Sequence, residues 1–160
     1  MRRYILALLA CLAVAAPAAA QRRALGTWSF WGAFRDNESC FAIAEPVDPA
    51  RGTRPFASVG WWPGRGLAGQ LNIRLGADKR PGSAVLLRID GRTFQLAAGN
   101  RDAWAPDSAA DAAIVAAMRT GIEMTVETRS VRGALVRDSY RLRGAATAID
   151  AAAIACRRNA

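Results

Sequence analysis

No histidine occurs in this 160-residue chain, and lysine occurs once, at Lys79. The first absence removes the commonest general base and the commonest metal ligand together. Ser–His and Cys–His nucleophilic pairs are excluded with it. The chain lacks G-x-S-x-G, and Gly76 stands three residues before Lys79, so no Ser-x-x-Lys exists either. Of the hydrolytic arrangements, only a carboxylate/serine pair stays open. Beyond residue 20 no apolar run reaches the ~20 residues of a membrane-spanning helix, so the mature chain carries no transmembrane segment.

What is present is arginine and apolar sequence. Lys and Arg number 22 against 13 acids, a formal charge of +9, and 52% of residues are hydrophobic. This length suits one domain with a real core.

The N-terminus reads as an export signal. "MRRYILALLACLAVAAPAAAQ" has two arginines, an apolar stretch and a small-residue cleavage site at Ala18 to Ala20. Residues 1–20 are therefore assigned to a signal peptide cut after Ala20, and residues 21–160 to a single domain. Loss of Arg2 and Arg3 leaves a mature charge of about +7. "LLAC" at Leu8 to Cys11 also has the form of a lipoprotein processing box, which would leave Cys11 lipidated. Apolar sequence continues beyond that cysteine, whereas a lipid tether is usually polar, which favours the cleaved signal.

Two cysteines remain, Cys40 and Cys156. In an oxidising compartment an even count reads as a disulfide, Cys40 to Cys156; the alternative is two separate buried thiols.

The body of the chain reads as strands. "TWSFWGAF", "SCFAIA", "FASVGWW", "QLNIRL", "AVLLRI", "RTFQLA", "EMTVETRS" and "ALVRDSYRL" are short, apolar or alternating, and separated by turn signals such as Asp90-Gly91 and Arg132-Gly133. In the first of them the two-residue period puts Trp28, Phe30 and Phe34 on one face and Trp31 on the other. Two segments have helical spacing. "PDSAADAAIVAAMRTG" has Ser108 as its candidate cap, and "ATAIDAAAIACRR" has Thr147. The expected fold is mainly β (α+β): antiparallel sheets in a sandwich or partly open barrel of about seven or eight strands, with two short helices.

These residues carry a resemblance. An early aromatic strand leads into "CFAIAEP" and "RPFASVGWWP". Trp104, Met118, Arg119, Gly121, Arg132, Gly133, Asp138, Tyr140, Leu142, Gly144 and Cys156 then follow in order. The arrangement resembles the invasion-associated locus B family of exported alphaproteobacterial proteins. The resemblance implies a periplasmic or secreted β-rich domain with no established enzymatic mechanism, linked by name to host-cell invasion.

Three motifs remain. "GRGLAG", Gly64 to Gly69, matches the dinucleotide fingerprint, with Asp90 about 20 residues on. The fingerprint needs a helix directly after the glycines, but "QLNIRLG" alternates as a strand, so the glycines read as a turn and no cofactor is expected. Asp102, Asp107 and Asp111 bracket the first helix and read as caps, not as a metal site. The arginines are dispersed along the sequence and suggest no nucleic-acid site. A basic exported domain meets an anionic envelope component, lipid or lipopolysaccharide, or a protein partner. Trp61 and Trp62 are adjacent, so a strand cannot bury both on one face. Together with Arg65 they mark the candidate binding surface. The functional reading is a non-catalytic exported protein that binds such a partner and serves invasion or envelope integrity. The alternative is a small periplasmic hydrolase with a carboxylate/serine site.

Overall fold

The first aromatic stretch folds back on itself. Arg23–Trp28 (β1) and Trp31–Arg35 (β2) pair as a hairpin, with Trp28 directly opposite Trp31 across a Ser29-Phe30 turn. Ser29 takes φ +56°, the left-handed conformation that such a tight turn requires. The single strand expected over "TWSFWGAF" is therefore two strands, and the turn resets the facing pattern. Trp28 and Trp31 share the inner face, Trp31 is 1% exposed, and Phe30 sits exposed at the turn. No glycine or asparagine announces this turn, which is why alternation alone missed it.

The computed structural model describes residues 22–49 and 53–157. The signal-like segment with its cut after Ala20, Cys11 and Arg51 lie outside the described residues. After the hairpin come Cys40–Ala44 (β3), Phe56–Trp62 (β4), a short 3-10 turn at Pro63–Arg65, Leu67–Arg74 (β5), Val85–Ile89 (β6), Arg92–Ala98 (β7) and Asp102–Trp104 (β8). Helix Ser108–Thr120 (α1), strands Glu123–Arg129 (β9) and Leu135–Arg141 (β10), and helix Ala145–Arg157 (α2) complete the order. All ten strands join one open sheet in the order β1-β2-β3-β4-β5-β8-β7-β6-β9-β10, antiparallel throughout. The tenth strand beyond the hairpin split is β8, whose three residues are too short for a periodic signal. Asp90-Gly91 and Gly133 make the expected turns, with Asp90 at φ +48° and Gly133 at φ +83°.

The two ends of the sheet do not pair as strands, yet they are stitched. The Trp31 indole N–H donates to the Arg141 carbonyl at 2.9 Å, and the Val47 N–H donates to Ser139 O at 2.8 Å. The curved sheet thus wraps a single core, into which α2 packs against β1 to β4 and α1 against β5.

The inner face of the first half of the sheet is made of small residues. Ala33, Cys40, Ala42, Ala44 and Ala57 face α2, whose own buried side includes Ala145, Ala148, Ala152 and Ala153 around Ile149. Small residues on both sides let the helix lie close to the sheet, and alanine loses no rotamer freedom there. Cys40 and Cys156 are joined, with Cα atoms 5.7 Å apart, tying the last turn of α2 to the start of β3. Thr147 lies inside α2 rather than capping it; the helix starts at Ala145, directly after Gly144 at φ +92°.

Candidate functional site

Because the inner positions of β2 to β4 are small, the bulk of these strands points outward. Phe34 and Phe41 are cross-strand partners with ring centroids 5.8 Å apart. Phe41 is opposite Gly60, and the Trp62 indole lies over that glycine so closely that any side chain there would collide with it. Gly60 is thus the gap that seats the ring. In the next row Ile43, Ser58, Asn72 and Trp104 follow one another across β3, β4, β5 and β8. In the third, Phe56 is opposite Arg74 and Arg74 opposite Asp102; the Arg74 Nε–Asp102 Oδ1 distance is 2.9 Å and the guanidinium lies 5.7 Å from the Phe56 ring centroid. Arg22 covers the Phe41 ring at 5.2 Å.

Together these rows line an open groove of about 910 Å³ across the sheet. Its charges nearly balance, with Arg22, Arg54 and Arg74 against Asp36, Glu45 and the Asp102 that pairs with Arg74. Trp104 is 40% exposed at its far edge.

The three residues singled out from the sequence separate here. Trp62 points into the groove. Trp61, opposite Cys40, turns to the inner side and packs against the core. Arg65 sits in the 3-10 turn and lines a smaller hollow of about 430 Å³ with Trp62, Asp36 and Cys156. Phe34, Phe41, Phe56 and Trp104 were missed. The signal for them is the parity of "CFAIA", in which the small residues alternate with the large ones. A reading that sends large residues to the core sends Phe41 and Ile43 to the wrong face.

The acids have individual roles. Asp107, not Ser108, caps α1, accepting from the Ala110 N–H at 2.8 Å. Asp111 leaves the helix to accept the Leu71 N–H at 2.8 Å; burial pushes its carboxyl above the usual range against the pull of that bond. Asp102 pairs with Arg74. Among the described residues no group of three His, Cys, Asp or Glu could hold a metal ion. The "GRGLAG" glycines form the 3-10 turn and the start of β5, and Asp90 accepts N–H groups of Ile122 and Glu123 at 3.2 to 3.3 Å.

Two acid–hydroxyl arrangements bear on hydrolysis. Asp36 Oδ1 accepts the Ser39 Oγ–H at 2.8 Å at the rim of the smaller hollow. The same oxygen accepts the N–H groups of Ser39 and Glu38, closing the β2–β3 turn. Burial raises the Asp36 carboxyl, but these bonds outweigh it and hold it below the usual range. A carboxylate so occupied and so acidic is a poor base for a hydroxyl. Asp138 and Tyr140 both face the core from β10, where no substrate reaches them. Asp138 accepts the Gly76 N–H at 2.8 Å, and a side chain at Gly76 would come within 2.7 Å of the carboxylate. Burial pushes the Asp138 carboxyl upward, and burial plus the Asp138 charge push the Tyr140 phenol upward.

The Asp138 shift has a pH consequence. The folded state holds the proton more tightly than the unfolded state, so stability falls as pH rises from about 3.9 through the raised value. Asp138→Asn keeps an acceptor for Gly76 and removes that slope. Urea denaturation from pH 4 upward should show the variant gaining stability relative to the parent as pH increases; parallel profiles would contradict this account.

No described helix is long and apolar enough to cross a membrane. The family model described as invasion associated locus B (IalB) protein matches residues 67–153. No curated protein matches the chain. The crystal structure of invasion associated protein B from Bartonella henselae is similar, with 16% identity, a TM-score of 0.58, and coverage of 84% of this chain and 98% of that one. At that identity the likeness speaks for the fold, while the family match spans more than half of the 160 residues. From Leu67 to Ala153, across β5 to β10, α1 and the first nine residues of α2, the chain belongs to the invasion associated locus B (IalB) protein family.

Proposed function

We propose that this is an exported, non-catalytic binding protein of the periplasm or cell exterior, and that it takes a protein partner on the aromatic groove around Trp62. One observation carries the reading: the outer face changes character partway along a single sheet. On β6, β9 and β10 it is largely charged, with Glu127 pairing with Arg137 at 2.7 Å and with Arg88 at 3.9 Å, and Leu135 exposed at the end of β10. On β2 to β5 and β8 it carries Phe34, Phe41, Phe56, Trp62 and Trp104. Large aromatic side chains on an uncovered face mark an interaction surface. Near-balanced charge suits a protein better than a polyanion. The Cys40–Cys156 bridge supports an oxidising compartment. The name of the Bartonella neighbour supports a part in invasion, and envelope integrity is the other role considered. The hydrolase reading is weaker, because the Asp36–Ser39 pair is consumed by its own turn.

The experiment is capture from envelope extract with Trp62→Ala beside the parent. Trp62 lies outside the core, so the variant should fold alike. Its affinity for the captured partner should drop by about 1–3 kcal/mol, the cost of truncating an aromatic anchor. Equal capture by both proteins would remove the groove from consideration.

A further inference from the structure

The arginines that are dispersed in the sequence are gathered by the fold. Beyond the end of β5, the loop at 76–83 is laced to the β9–β10 turn. The Arg80 N–H donates to Arg129 O at 2.8 Å, the Val131 N–H donates to Asp78 O at 3.0 Å, and Lys79 bridges to Ser130. The Lys79 N–H donates to Asn100 O at 2.8 Å, which brings in the β7–β8 loop with Arg101. Three distant segments thus place Lys79, Arg80, Arg101, Arg129 and Arg132 at one tip.

The one acid among them, Asp78, is occupied by Arg101 at 3.0 Å. Elsewhere on the sheet Arg74 meets Asp102, and Arg88 and Arg137 meet Glu127. With Lys79, Arg80, Arg101, Arg129 and Arg132 against a single acid already paired, the tip is a local excess of positive charge. Two aliphatic side chains stand among these cations, Val131 at 57% exposure and Leu135 at 54%.

We propose that this tip docks on the anionic glycerophospholipid head groups of an envelope membrane. Clustered Lys and Arg are drawn to such a surface, and each adds to the attraction. Exposed aliphatic side chains in the middle of the cluster can enter the head-group layer, which a polyanion in water would not reward. Neither the 76–83 loop nor the β9–β10 turn carries an aromatic ring, and Trp104, whose ring lies by Gly99 in the β7–β8 loop, is a single ring where single-stranded nucleic acid uses a series of stacking platforms. The tip is remote from Trp62 rather than from the whole groove: Trp62 pairs with Leu67 at one end of β5, and the tip follows Arg74, in the groove's third row, at the other, ~23 Å along the strand. The inference needs the export proposed above but not the partner at Trp62.

Sedimentation with vesicles tests it. Full-length mature protein should associate with phosphatidylcholine vesicles containing phosphatidylglycerol and not with phosphatidylcholine alone, and salt should weaken the association steeply. The double variant Arg80→Glu/Arg132→Glu should lower it at least about tenfold at low ionic strength. Val131→Ser/Leu135→Ser should spare most low-salt binding and remove the part that survives salt. Trp62→Ala should bind vesicles like the parent, so failure of the tip and failure of the groove read out separately. If the double variant misfolds by circular dichroism, Arg132→Glu alone in the exposed turn should still give a loss of about fivefold. Equal binding to neutral vesicles would overturn the proposal. So would parental binding by the charge variants, or binding confined to an added oligonucleotide.

Discussion

Cys156→Ser is expected to lower stability by about 2–5 kcal/mol, the usual cost of removing a native disulfide from a small secreted domain. The bridge spans 116 positions, so reducing it frees most of the chain in the unfolded state. It also leaves Cys40 as a fully buried thiol beside a helix held otherwise by Ile149 and by alanine contacts, which bury little area each. Guanidinium denaturation of the parent with and without reductant should reproduce the difference, while the variant should ignore reductant. A loss below about 0.5 kcal/mol would mean that α2 is held by packing alone, against the usual cost of losing such a bridge.

The bridge was legible in the sequence because, with Cys11 assigned to the expected signal segment, only Cys40 and Cys156 are left to pair. The strands were legible wherever alternation ran for five residues or more with a turn residue at each end. Two strands escaped this. Ser29 turns the chain without glycine, and β8 is three residues long. The binding face was only half legible. Adjacency of Trp61 and Trp62 showed that one must leave the core, but nothing local says which. The choice depends on α2, more than 80 positions away, whose alanines claim the side with room only for small neighbours. The basic tip was not legible at all, since Lys79, Arg101 and Arg132 become neighbours only through loop-to-loop hydrogen bonds.

Gly144→Ala is the other variant expected to have a large effect. Gly144 holds φ +92° just before α2, a conformation that costs an L-residue about 1–3 kcal/mol. A methyl group there would run into the Trp28 carbonyl oxygen at the β1–β2 turn. Overpacking of that kind adds about 1–3 kcal/mol. The combined loss, about 2–6 kcal/mol, is a large part of the about 5–15 kcal/mol that holds a domain together. Thermal unfolding should show a sharp drop in midpoint for Gly144→Ala. Gly64→Ala, at a site where a methyl group would meet nothing, should change little. Equal midpoints for the two would show that the hairpin can step away from the helix at no cost.

The register of the first three strands gives the chain an unexpected circularity. Arg23 is opposite Arg35 and Arg35 opposite Cys40, two strand spacings of ~5 Å each. Cys40 is bonded to Cys156, which precedes Arg157. Arg23 and Cys156 therefore lie within two strand spacings and one disulfide of each other, about 16 Å at most, and the covalent path through the fold is nearly a ring. A short peptide joining Arg157 to Arg22 would close it. The ring could then be reopened at the exposed Asp90-Gly91 turn with every strand left beside its present neighbours. Which element comes first along the chain is thus a matter of where the ring is cut, and the architecture itself does not record it.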